Sequence, residues 1–374
     1  MMHSKRWIRS VAPILAVMVA AVCFAATSAQ AAVVPFSGPA LHRARLKVRW
    51  ELPLGLGRHS HDRIDHVWLL GKNVFVLTQY GYLICINGSS GAIRWTQDYT
   101  VRGQKTFEPV NYGKKHLLII AGSKVLIVNR VDGTVAKSQA LKFAPSTRPV
   151  ISDDRMFIGS YHDRMYVLSP HIPLFMQWAQ YSRGDAFLSR PLVLDGMVVC
   201  GSQNGHVWGH LATDGSSGWR RLLSGAVDAN LGTDGRLVFV PCLNHNLYAL
   251  NAGTGIAPWI ARLPGRLVHQ PVMFGKRLLI CSGGAGLISL DRSTGRIQWG
   301  PVPGIERVVG KIGHRIAAAG SAGISILSPA DGNVIYTARA SAPCVYAKTT
   351  SSKRIYVAST SGFLMALVRR YPLN

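Results

Sequence analysis

The chain has 374 residues, 48% of them hydrophobic, and carries 42 Lys+Arg against 17 Asp+Glu, a formal net charge of +25. Beyond its first thirty-one residues no segment has the length and apolarity of a membrane helix, so the remainder is expected to be soluble rather than membrane-spanning. The basic excess draws a protein toward anionic surfaces, polymers or acidic partners and carries no information on fold; a charge that serves only solubility is the plainer reading.

In chain order, the first element is a secretory signal over residues 1–31. Lys5, Arg6 and Arg9 form its positive end, an apolar run extends from Val11 to Ala26, and Ser28-Ala29-Gln30-Ala31 offers small residues where a signal peptidase reads. Cleavage is expected after Ala31, with export to the periplasm or the exterior and a short linker over 32–43. Lipidation of Cys23 is disfavoured by the bulky Val22 before it. Removing the three signal cations leaves 39 Lys+Arg against 17 acids. Five cysteines remain, Cys85, Cys200, Cys242, Cys281 and Cys344, each in an apolar strand-like run and none in a Cys-x-x-Cys pair; buried structural thiols are expected.

Leu46-Lys47-Val48-Arg49-Trp50-Glu51-Leu52 reads as an isolated strand. After it, the segment from Arg58 to His66 gathers His59, His61 and His66 with Asp62 and Asp65. Imidazole and carboxylate at this density suit a transition metal, but the spacing fits no metal motif and the flanking arginines oppose a cation. A partner contact is the other reading, because no other copy has this loop.

From there the chain repeats. Apolar runs end at Ile86, Val128, Leu168, Leu211, Leu250, Leu290, Leu327 and Leu367, spaced 37 to 43 residues apart. Each copy opens on Pro plus apolar residues, as in Pro191-Leu192-Val193, and continues through a branched strand closed by Gly-Ser, as in Val198-Val199-Cys200-Gly201-Ser202. A turn with Gly81, Gly205, Asn246, Gly286, Gly323 or Gly362 comes next, at residues that tolerate positive φ. A third strand like Leu247-Tyr248-Ala249-Leu250 then leads to Gly-x-x-x-aromatic: Gly91 to Trp95, Gly215 to Trp219, Gly255 to Trp259, Gly295 to Trp299, Gly332 to Tyr336. Two copies are degenerate there, one with Lys137 in the aromatic place and one with Trp178 but Leu174 for Gly.

Four short strands per repeat of about 40 residues, without helical periodicity, specify an all-β, eight-bladed β-propeller of four-stranded blades. The large aromatics Trp50, Trp95, Trp178, Trp219, Trp259, Trp299 and Tyr336 are expected to fill the wedges between blades. The eighth copy stops at Asn374 before its last strand. The strand around Trp50 is therefore expected to complete that blade and close the ring, leaving no open edge at the seam. By repeat phase, Asp65, Glu108, Arg148, Arg190, Asp228, Gln270, Glu306 and Ala342, each to within one position, should ring the channel mouth. That mixed ring could seat a polar ligand or a partner loop, or be a hydrated mouth with ion pairs.

The unit Asp-Gly, Gly-Ser, Leu-Tyr-Ala-Leu-Asn, Thr-Gly-x-x-x-Trp resembles the pyrroloquinoline-quinone-like (PQQ-like) repeat family over residues 44 to about 368. The resemblance implies one of two functions: a quinone- and calcium-dependent dehydrogenase, or a scaffold like the propeller subunit of the outer-membrane protein assembly machinery. The enzymes' adjacent-cysteine disulfide has no counterpart here, and most acids, such as Asp132, Asp163, Asp195, Asp234 and Asp331, fall in turns. The expected protein is a monomeric, non-catalytic scaffold without cofactor or bound metal. It would bind protein partners through its loops, with an anionic envelope polymer or surface as the alternative partner and no nucleic acid.

Overall fold

A computed structural model describes residues 32–56, 62–99, 104–182, 186–349 and 353–370. The eight repeats form eight antiparallel four-stranded sheets, each ordered from an inner to an outer strand. Blade 1 spans 64–98, blade 2 110–140, blade 3 150–181, blade 4 192–222, blade 5 232–262, blade 6 272–302 and blade 7 307–339. Blade 8 takes three strands from 344–369 and its outer strand, Leu46–Pro53, from the front of the chain. Trp50 pairs with Ala366 and Pro53 with Phe363 in that sheet, so the ring closes as the truncated eighth copy requires.

The second and third strands of each blade are buried on both faces, which explains their continuous apolar runs. Eight apolar clusters fill the eight seams between neighbouring blades, from Phe75, Trp95 and Leu117 between blades 1 and 2 to Leu46, Ile324 and Met365 between blades 7 and 8.

The Gly-x-x-x-Trp signature proves to be two halves of different contacts. Each indole seats on the turn glycine of the following blade: Trp50 on Gly91, Trp95 on Gly133, Trp178 on Gly215, Trp219 on Gly255, Trp259 on Gly295 and Trp299 on Gly332. Five of these indoles also donate Nε1–H to the carbonyl three residues before that glycine, at 2.8–3.1 Å. A register shift just before the aromatic, as between Cys85 and Ile86 opposite Trp95 and Ile93, turns the ring toward its neighbour. The two degenerate copies meet at one seam. Lys137 of blade 2 faces the blade whose glycine is Leu174, and Gln139 bridges them, its Oε1 accepting from Leu174 N at 2.7 Å and its Nε2 donating to Leu174 O at 3.4 Å. At the seam of blades 7 and 8, where no turn glycine exists, Tyr336 packs against Phe36, Leu41, Ala44 and Leu46.

Two expectations need adjusting. Residues 38–43, read as part of a linker, form a short helix (α1, Gly38–Arg43) capped by Ser37, with Ala40 and Leu41 buried against blade 7. Ahead of it, Val33 N donates to Ser361 Oγ and Pro35 O accepts from Ser341 N, so this segment straps blades 7 and 8 together. In blade 5 the positive φ (72°) falls on His245, not on Asn246. Asn246 instead opens the third strand, and Asn244 Oδ1 accepts its N–H at 3.1 Å.

Candidate functional site

Inner strands of only two or three residues, as in blades 2 to 6 and 8, leave the residues before them free to converge on the axis. Their entry loops are anchored by hydroxyls: Thr147 Oγ1 accepts from Gly159 N at 2.9 Å and Ser189 Oγ from Gly201 N at 2.8 Å. Asp65, Glu108, Arg148, Arg190, Asp228 and Gln270, spread over more than 200 residues of sequence, thereby line one cavity of about 680 Å³ at the channel mouth, together with His66. Glu306 and Ala342 lie instead in a separate recess with Arg307, Cys344 and Tyr346. His59 and His61 fall outside the described residues. His66 turns its Nδ1 to Asp65 Oδ2 at 2.9 Å and stacks on Trp68. Among the described residues no three or more His, Cys, Asp or Glu side chains converge as a metal site.

Within the cavity Arg148 pairs with Glu108. Arg190 lies deeper, and burial followed by repulsion from Arg148 lowers its pKa, against the pull of Glu108. Across the channel Lys348 Nζ donates to Gln270 Oε1 at 2.8 Å, and Gln270 Nε2 donates to Leu231 O at 2.7 Å. The Lys348 ammonium reaches solvent along the channel yet is walled by protein, and its pKa is lowered by desolvation and then by Arg190. Asp228 keeps one carboxylate oxygen, Oδ1, buried without a hydrogen-bond partner, and desolvation raises its pKa. The lining thus sets three carboxylates (Asp65, Glu108, Asp228) against three cations (Lys105, Arg148, Arg190), and Thr106 Oγ1, Arg148 Nε and Asp228 Oδ1 are buried there without a hydrogen-bond partner.

Beside the mouth lies an aromatic ledge. Lys105, in the cavity wall, sets its ammonium 5.8 Å from the Tyr161 ring, and the Arg164 guanidinium lies 4.3 Å above the Tyr181 ring. Both tyrosines are about half exposed, at 47% and 50%. Sequence reasoning missed Lys348 and this ledge. No phase marks the lysine: Arg148, Arg190 and Gln270 stand opposite the residue before Ser160, Ser202 and Ser282, whereas in blade 8 that place falls to Val345, paired with Ala358, and Lys348 comes three residues later, past the inner strand. No repeat phase marks the ledge, because Tyr161 and Tyr181 occur in one copy only.

Fold and site together define a PQQ-like propeller with a polar, mixed-charge mouth. A family profile described as "Outer membrane protein assembly factor BamB" matches residues 40–171 and 211–335, and the chain belongs to that family. Among solved structures it is similar to BamB from Moraxella catarrhalis, with a TM-score of 0.69 at 16% identity over 88% of this chain and 99% of that one. The computationally designed Ika8 protein (TM-score 0.65, 12% identity, 82% and 96% covered) and the C-terminal WD40 domain of Sif2 (0.65, 11%, 86% and 98%) share the fold. No curated protein sequence matches the chain.

Proposed function

We propose that this protein is a non-catalytic, exported scaffold that holds a protein partner at the channel-mouth end of the ring during assembly of the cell envelope. The observation that carries the reading is the pair of half-exposed rings of blade 3, Tyr161, joined to the charged mouth by Lys105 of the cavity wall, and Tyr181, capped by Arg164. Tyrosine and arginine dominate the energetics of protein interfaces, and exposed rings fixed by cations lose little freedom on binding. The unpaired Asp228 oxygen would be satisfied by a donor of an inserted loop, and the half-buried Arg190 guanidinium would meet its acceptors. Export rests on the signal over residues 1–31, which lies outside the described residues; among the described ones no helix is long and apolar enough to cross a membrane.

The test is capture from envelope extract at low and high salt with the wild type and with Tyr161→Ala/Tyr181→Ala. The reading requires a partner that survives high salt and that the double variant loses by tenfold or more. Equal capture by both forms sinks it. Dye-linked alcohol oxidation by the purified protein supplied with quinone and calcium would overturn the non-catalytic assignment.

A further inference from the structure

The opposite end of the ring, where the first strand of each blade turns into the second, is electrically divided. In blades 3, 4 and 5 those turns carry carboxylates: Asp153 and Asp154 beside Arg155, Asp195, and Asp234 beside Arg236. In blades 6, 7, 8, 1 and 2, an unbroken arc around the closed ring, the same turns carry Lys276 and Arg277, His314 and Arg315, Lys353 and Arg354, Lys72, and Lys114 and Lys115, with no carboxylate. A charge that only served solubility would have no reason to sort by blade.

The closure of the ring concentrates the effect. Arg369 and Arg370 end the third strand of blade 8, and Arg45 precedes its outer strand, with Arg370 N donating to Arg45 O at 2.8 Å. Arg315 lies 5.1 Å from the Tyr336 ring, and Arg354 reaches across to Ser89 of blade 1. Tyr336 is held below the usual phenol pKa by a hydrogen bond from Arg315 and by the nearby charges of Arg45 and Arg369. The carboxylates in the outer turns of the arc, Asp291, Asp331 and Asp132, accept from their own turns, from Ser293 N and Thr294 N, from Asn333 N and from Thr134 N.

Exposed aliphatic side chains stand among these cations at the starts of the outer strands: Ile93, Ile297, Val334 and Ile335. The exposed aromatics Tyr161, Phe175 and Tyr181 all belong to blade 3, off the arc. The cations of blades 7, 8 and 1 stand beside branched aliphatics without an exposed aromatic ring, so the face offers no platform for stacking bases. Such cations and aliphatics suit the boundary of an anionic bilayer, where cations meet phosphate and branched side chains enter the headgroup layer.

From this arrangement we infer that the turn face of blades 7, 8 and 1 docks on a membrane surface rich in anionic phospholipid. The channel mouth then points away from the bilayer, free for a partner. The inference deepens the scaffold reading by orienting it, and its test needs no partner protein, so either can fail alone.

The experiment is co-sedimentation of the mature chain with vesicles of phosphatidylcholine alone or with about a third phosphatidylglycerol, at 0.1 and 0.5 M salt. Binding is expected only to the anionic vesicles and only at low salt, given a Debye length of about 10 Å at 0.1 M. At about fivefold per cation removed, Lys72→Glu/Arg370→Glu should weaken it at least about 25-fold. Lys124→Glu/Lys142→Glu, with the same change of charge at the opposite end, should lose no more than about threefold, while circular dichroism confirms that both variants fold. Equal loss in the two variants, equal binding to neutral vesicles, or tighter binding to duplex DNA than to anionic vesicles at the same phosphate concentration would each overturn the proposal.

Discussion

Gly295→Ala probes the seat of one blade on the next. Gly295 has φ +71°, and a Cβ placed there would lie 2.4 Å from Trp259 Cε3 and 2.6 Å from Cδ2. A non-glycine residue in the left-handed region costs about 1 kcal/mol. Displacing the indole from a close-packed seam adds about 1–3 kcal/mol, and weakening its hydrogen bond to Arg292 O, 3.1 Å long in the native protein, adds about 1 kcal/mol. The expected loss is about 3–5 kcal/mol, read as a lowered urea midpoint at unchanged slope. Gly275→Ala is the control: its φ is +62° but its Cβ would meet nothing within 4 Å, so only the backbone cost of about 1 kcal/mol should appear. Combining Gly295→Ala with Trp259→Ala removes the clash along with the ring, so the double variant should be more stable than the sum of the two losses predicts, by at least about 1 kcal/mol. A Gly295→Ala protein within about 0.5 kcal/mol of wild type, or strict additivity in the double variant, would refute the docking argument.

Acid should loosen the seam of blades 3 and 4. His210 is buried there edge-on to Trp178, and burial lowers its pKa from the ordinary 6.5. The unfolded chain takes up a proton that the folded chain resists, so stability is full above about pH 6.5 and declines as pH falls below it; this decline, followed by urea midpoints, should shrink in His210→Gln. Burial pushes the thiols of Cys85 and Cys281 up to about 12 and that of Cys344 to about 11. A thiol reagent at pH 8 should therefore leave the native mature protein almost unlabelled and modify five cysteines after denaturation; rapid native labelling would contradict the burial. A chain beginning at Leu54 loses the outer strand of blade 8 and bares the edge of Phe363–Arg369. It should aggregate by light scattering, and a stable monomer would show that closure is dispensable.

The sequence by itself determined the count and kind of blades, because each blade folds from its own forty or so residues and repeats the same local pattern of apolar strands and glycine turns. It also determined ring closure, since a repeat missing its last strand and a lone strand around Trp50 have one mutual solution. Six of the residues assigned to the mouth by phase meet in one cavity for the same reason. What only the tertiary structure decided are relations between blades. The spacing from Gly255 to Trp259 looks like one motif, yet the glycine receives Trp219 from the blade before and the indole lands on Gly295 of the blade after. Gln139 replacing a missing indole at Leu174, Lys348 reaching Gln270, and the gathering of Arg45, Arg315 and Arg369 around Tyr336 are likewise invisible along the chain. Their partners are separated by 21 to more than 300 residues, and the distance between such groups is set by the closed ring, which no local pattern encodes.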